Sequence, residues 1–204
     1  MIIDKQKLTL PERFEHLKTL LKSPKFLNKQ GIGNEVPFFI CPYKPKEAVA
    51  FFANLLGPLV IELRNSGIRI LEIDLYDLVV KTLRSRSIWD TVIQNESHYT
   101  KEQLKELLQG VLDIEKHLVP AIADRMKSED FDIMFLTGVG EVFPYIRSHN
   151  VLNNLQKVAK EKPTVMFFPG EYTQNDETGA SLDLFGRLHD DKYYRAFNIY
   201  HCDA

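Results

Sequence analysis

The sequence predicts an α/β fold, a three-layer sandwich in which a mainly parallel central sheet is flanked by helices, and two observations predict it. Short apolar runs at residues 36–41, 68–73, 131–136 and 164–168 alternate with longer stretches of helical spacing. Several of the runs are rich in β-branched or aromatic residues and meet Pro or Gly at their ends, as buried parallel strands do. Right-handed crossovers between such strands put helices on both faces of the sheet. A Rossmann-like or degenerate P-loop-like arrangement follows, as one domain over residues 1–204.

Thr9 and Glu12 form a capping-box pattern ahead of a helix over 10–22, with Phe14, Leu17 and Leu21 on one face. From Pro45 the spacing predicts a helix to about Asn65, kinked or split at Gly57-Pro58 because proline lacks the N–H its turn needs. Helical spacing resumes after Asp74 and reaches about Arg86. Residues 100–126 carry the clearest amphipathic stripe, including Leu104, Leu108, Leu118 and Ile122. Pro120 interrupts it, so two helices are expected, with a break near 115–119. Helical spacing is also read over 141–158, and a last strand over 193–200, with an antiparallel edge strand allowed at the end. Residues 169–190 read as loop, with a short strand or turn near Leu182 to Phe185.

Composition limits the function classes. A chain of 204 residues buries about 70% of its unfolded surface, enough for a sizeable core. Cys41 and Cys202 have neither disulfide-framework nor zinc spacing, so a reducing cytoplasm is the expected compartment. No run approaches the roughly 20 apolar residues of a membrane span, and the polar first ten residues do not read as a signal peptide. A net charge of −2 argues against a surface that grips nucleic acid throughout. Residues 1–30 nevertheless hold seven cations (Lys5, Lys7, Arg13, Lys18, Lys22, Lys25, Lys29) against three anions, a local +4 that fits either a solvated helix face or a basic tether.

In a parallel sheet the loops at the carboxyl ends of the strands share one edge, where ligands and partners usually meet them. Four segments qualify: 42–45 with Tyr43, 74–77 with Asp74, Tyr76 and Asp77, 137–141 with Gly138, Gly140 and Glu141, and 169–172 with Glu171 and Tyr172. Gly138 and Gly140 could offer backbone N–H groups to an anion. No Lys-Ser/Thr pair follows them, Phe143 stands where a dinucleotide fingerprint needs its third glycine, and Glu141 sets a carboxylate where phosphate would lie. Asp74, Asp77, Glu141 and Glu171 could gather round magnesium. Asp74 and Asp77 equally have the spacing of a helix N-cap and its third residue. Six scattered histidines lack metal-site spacing, and neither H-E-x-x-H nor G-x-S-x-G occurs. Arg147, Ser148, His149, Asn150, Asn153 and Asn154 read either as a polar turn bonding its own backbone or as a recognition loop. Along the last strand, Tyr193, Arg195 and Phe197 would share one face, a candidate interface if exposed.

Gly31 to Phe38, Leu71 to Leu78, a long run from Leu136 to Leu155 containing Thr137-Gly138-Val139-Gly140 and Arg147-Ser148-His149, Phe167 to Tyr172, Leu184-Phe185-Gly186 and Tyr193 to Phe197 form a recognisable set. Together these segments resemble the BrxB family of bacterial BREX phage-defence systems. The resemblance implies a component of a system that methylates host DNA and blocks phage replication, alongside an adenine methyltransferase, a large ATPase and the alkaline-phosphatase-like PglZ. PglZ is the partner it implies first. It supplies no catalytic residue, cofactor or metal ligand. The expectation is therefore a docking subunit whose contacts are Tyr43, Asp74, Tyr76, Asp77, Gly138, Gly140, Glu141, Arg147, His149, Asn153, Asn154, Glu171 and Tyr172. The competing expectations are a nucleotide- or magnesium-dependent enzyme at the same loops and a nucleic-acid tether at the N-terminus.

Overall fold

The computed structural model describes residues 8–28, 37–175, 179–186 and 196–204. Helix α1 (Leu10–Lys22) starts as expected, the Thr9 backbone N–H donating to the Glu12 carboxylate at 2.9 Å. A short α2 (Pro24–Leu27) leads toward β1 (Phe38–Tyr43). Then come α3 (Ala48–Phe51), α4 (Gly57–Asn65), β2 (Ile70–Asp74), α5 (Leu75–Ser85), α6 (Trp89–Asn95), α7 (Lys101–Val111), α8 (Val119–Ser128) and β3 (Ile133–Thr137). The remaining elements are α9 (Ser148–Leu155), β4 (Thr164–Asn175), β5 (Gly179–Leu184) and β6 (Phe197–Asn198).

The strands lie in the order β2-β3-β4-β1-β6, all parallel, with β5 antiparallel to the outer half of β4. Period-two alternation sends every central strand into two cores. Phe38, Ile40, Leu71, Ile73, Met134, Leu136, Met166 and Phe168 meet α5, α8 and α9 on one face. Phe39, Cys41, Ile70, Ile133, Phe135, Val165 and Phe167 meet α1, α3 and α4 on the other. The three-layer α/β expectation holds, and its parallel sheet fits a Rossmann-like arrangement.

Both prolines are accommodated in the same way, although the chain leaves helix at Leu112–Asp113, ahead of the break expected at 115–119. A five-residue π-type turn, Phe52–Leu56, precedes Gly57-Pro58, and a second, Ile114–Leu118, precedes Val119-Pro120. Each wider turn removes the hydrogen bond that the proline cannot donate and gives its ring room.

Three expectations need correction. Residues 141–147 are turns, not helix, and α9 begins only at Ser148, because Pro144 lacks a donor and biases Phe143 away from helical geometry. Residues 169–175 are not loop: β4 runs on past Pro169 and pairs Gly170 to Asn175 with β5. The last strand is the two-residue β6, parallel to β1 and followed by a 3-10 turn at Ile199–His201, so the antiparallel strand is β5. Tyr193, Tyr194 and Arg195, with Gly31 to Val36, lie outside the described residues.

The β4–β5 hairpin closes tightly. A Cβ on Gly170 would come within 2.1 Å of the Asp183 carbonyl oxygen, whereas one on Gly110 in α7 would meet nothing within 4 Å. Gly170→Ala should lower stability by about 1–3 kcal/mol through overpacking, and Gly110→Ala should raise it by about 0.5–1 kcal/mol. Urea unfolding of the two variants beside the parent checks both signs.

Candidate functional site

Parallel pairing brings the strand ends to one edge. Tyr43 is in register with Pro169 and Asp74 with Thr137, and β3 is tied to β4 through Leu136 and Met166. The four segments singled out in the sequence therefore meet, though not as four equivalent loops.

Asp74 organises the centre of this edge. It ends β2 and caps α5, one carboxylate oxygen accepting from the Asp77 backbone N–H at 3.0 Å. The other accepts from the Thr137 hydroxyl at the end of β3 at 2.9 Å. Directly above lies Gly138, with φ +73°, where a Cβ would stand 2.9 and 3.0 Å from those two oxygens. Only glycine combines that backbone angle with that approach. At Gly140 an added Cβ would meet Pro169 at 2.9 Å and Phe185 at 3.1 Å. The glycine turn is thus packed against protein. A phosphate brought to it would meet the Asp74 carboxylate, not a cradle of free N–H groups.

Charges around the edge sense one another. The Glu141 carboxyl is held above its usual range, first by loss of solvent and then by the charges of Asp74 and Asp77. Burial, then Glu141 and Cys41, push the Tyr43 hydroxyl up to about 12. Burial, then Tyr76 and Glu141, raise Tyr145. Tyr43, Tyr76, Asp74, Asp77 and Glu141 therefore form one neighbourhood. Among the described residues no group of three or more His, Cys, Asp or Glu is arranged to hold a metal ion.

Exposure divides the candidates. Tyr76 is 42% exposed, and Asp77, Glu141 and Arg147 also face solvent. Tyr43 is buried, its ring stacked on Phe51 with centroids 4.7 Å apart. Gly138 is buried, and Gly140 is half-buried beneath Pro169 and Phe185. Tyr172 is only 3% exposed, because strand alternation turns it inward, where its hydroxyl donates to the Ala196 carbonyl at 2.7 Å. Glu171 faces solvent on β4 opposite Asp183, on the hairpin that extends beyond the edge. His149 is buried at 3% exposure in the first turn of α9, so the supposed Arg147–Asn154 turn is helix with one inward histidine. Asn153 and Asn154 lie about 8 Å down that helix from its start, the Asn154 amide donating to the Asn150 carbonyl at 2.9 Å.

Sequence reasoning missed Phe143, Tyr145 and Phe185. Phe143 and Phe185 meet edge-on with centroids 6.2 Å apart, and Phe185, 39% exposed, adopts a positive φ of 57°. The Phe-Pro-Tyr run at 143–145 was the available signal, masked by the helical spacing of Val142 and Ile146. The N-terminal basic face is largely neutralised where described: Arg13 is buried and pairs with Glu47 at 2.9 Å, Lys22 pairs with Glu62 at 2.6 Å, and Lys18 with Glu15. Lys5, Lys7 and Lys29 lie outside the described residues. Among the described residues no helix is long and apolar enough to cross a membrane.

The raised Glu141 gives a signed prediction. An acid with a folded pKa above its unfolded value penalises folding when ionised, and the penalty fades as pH falls through the folded pKa. Glu141→Gln should raise the melting temperature at pH 7, and that gain should vanish once pH falls below the ordinary carboxylate range. Asp74→Ala should cost about 1–2 kcal/mol through the lost cap and the stranded Thr137 hydroxyl. Thermal melts across pH and denaturant unfolding measure the two.

No solved structure matches the chain. It is 35% identical over 191 residues to the BREX protein BrxB of Bacillus cereus (strain H3081.97), covering 92% of this chain and 96% of that protein. It is 28% identical over 190 residues to the BREX protein BrxB of Escherichia coli O9:H4 (strain HS), covering 93% and 91%. The family model described as BREX protein BrxB matches residues 71–199, from β2 through the strand-end edge to the C-terminal turn, and the chain belongs to the BrxB family.

Proposed function

We propose that this chain is a non-catalytic docking subunit of a cytoplasmic BREX assembly, and that its strand-end edge binds the PglZ-like subunit. Membership of the BrxB family makes it a BREX component implicated in phage defence, with other BREX subunits as its partners. The choice of docking over chemistry rests on one observation: the glycine turn, where an α/β sheet usually holds a ligand, is filled from within. The Asp74 carboxylate lies against Gly138, and Pro169 and Phe185 lie against Gly140. What faces outward is a mixture of Tyr76, Asp77, Glu141, Arg147 and Phe185. Tyr and Arg are the side chains most often found to dominate interface energies, since each offers a large rigid area with a polar end.

Tyr76→Ala, Glu141→Lys and Arg147→Ala combined should abolish co-purification with the PglZ-like subunit while leaving the melting temperature near that of the parent. Retention of the complex at undiminished affinity would reject this surface. The enzyme reading has its own test. Saturation at 100 times a dissociation constant adds about 2.7 kcal/mol of stability, so millimolar ATP with magnesium should leave the melting temperature unmoved, and a clear rise would favour a nucleotide-dependent activity.

A further inference from the structure

Among the described residues β2 pairs only with β3, which leaves one side of its backbone without a strand partner. An open groove of about 740 Å³ runs along that side. One wall is apolar, with Leu56, Val60 and Ile61 from the π-type turn and α4; the other carries Asp77, Leu78 and Lys81 from α5. We propose that this groove takes an extended segment of a partner polypeptide, which adds to β2 as a further strand. The inference rests on the chain being a subunit of a BREX assembly, but it uses a surface that adjoins the strand-end edge at Asp74 and Asp77 and runs away from it along β2.

Backbone geometry supplies the first reason. The Glu72 carbonyl points away from β3 and accepts from the Arg125 guanidinium at 2.9 Å. The N–H and C=O of one strand residue point to the same side, so the Glu72 N–H also faces the groove. A main-chain acceptor and donor are therefore presented together, the pattern an added strand requires. Among the described residues, side chains stand over them. The Arg64–Glu72 pair at 2.6 Å is about half exposed at both ends, and pairs of that kind open easily. Arg125 has Glu129 as a second partner at 2.7 Å when it leaves the carbonyl.

Charge layout specifies the occupant. Helices α4 and α5 run opposite to β2, so Arg64, Lys81 and Arg125 lie toward the start and middle of the strand, while Asp74 and Asp77 lie at its end. The complementary segment has a carboxylate toward the start of β2, an apolar middle against Ile61, which is 61% exposed, and a Lys or Arg toward the end. A second copy of this chain fits poorly. Two-fold antiparallel pairing centred on β2 would set Glu72 directly against its own copy, and like charges so placed repel.

Hydrogen exchange of the chain, free and in complex with purified BREX subunits, tests the proposal. Exchange at the outward amides of residues 72 and 74 should slow at least tenfold in the complex. Ile61→Asp and Lys81→Glu should each weaken binding at least tenfold without lowering the melting temperature. Unchanged exchange across residues 70–74, with protection confined to residues 138–147, would overturn the groove and leave the strand-end surface standing. Protection of β2 in the isolated chain, with a dimer mass by light scattering, would assign the groove to a second copy and overturn the partner. Failure to form a complex with any of the subunits would remove both readings.

Discussion

The carboxylate of Asp74 is the point on which the strand-end edge depends. Its two oxygens join segments 63 residues apart in sequence: one caps α5, the other holds the end of β3 through Thr137, and both lie against the turn at Gly138. A buried or half-buried carboxylate needs such partners, because leaving it without them would cost more than the contacts themselves contribute. The same placement denies the turn to anions. One residue thereby ties α5, β3 and the glycine turn together and closes that turn to phosphate.

How much of this was legible depends on whether the signal was local. The caps were: Thr9 with Glu12, and Asp74 with Asp77, where the expected bonds form. So were the two proline breaks, since each is decided by an N–H missing within one turn. The extension of β4 was not, because Pro169-Gly170 looks like a stop and its partner strand lies a dozen residues downstream. Tyr172 shows the consequence. Read as loop it was a surface anchor; with the strand continued, it falls on the same face as Phe168 and enters the core.

The turn between β3 and α9 shows a different failure. Val142 and Ile146 are both buried and four residues apart, which imitates a helical face. Pro144 between them is incompatible with that reading, and a rule about backbone donors outranks one about side-chain periodicity. The surface that results holds Phe143, Tyr145 and Phe185 beside Glu141, a combination of residues from separated segments that no single window of sequence contains. Arg147 and His149 likewise looked alike as polar residues in a turn. The first turn of α9 separates them, one outward and one into the core.

Charge decides which surfaces remain available. The described cations of α1 are occupied locally, Arg13 by Glu47 inside the fold and Lys18 and Lys22 by acids on α1 and α4. A phosphate backbone would have to compete with those carboxylates, and Arg13, buried beside Glu47, is the cation least able to exchange its partner. The acids of the strand-end edge have the opposite character. Asp74 is spent on the fold, but Asp77 and Glu141 face solvent near one another, and Glu141 already feels their mutual repulsion. A partner bringing a cation to this edge would relieve that repulsion on binding, so the unfavourable term in the free chain becomes a source of affinity and of partner choice in the complex.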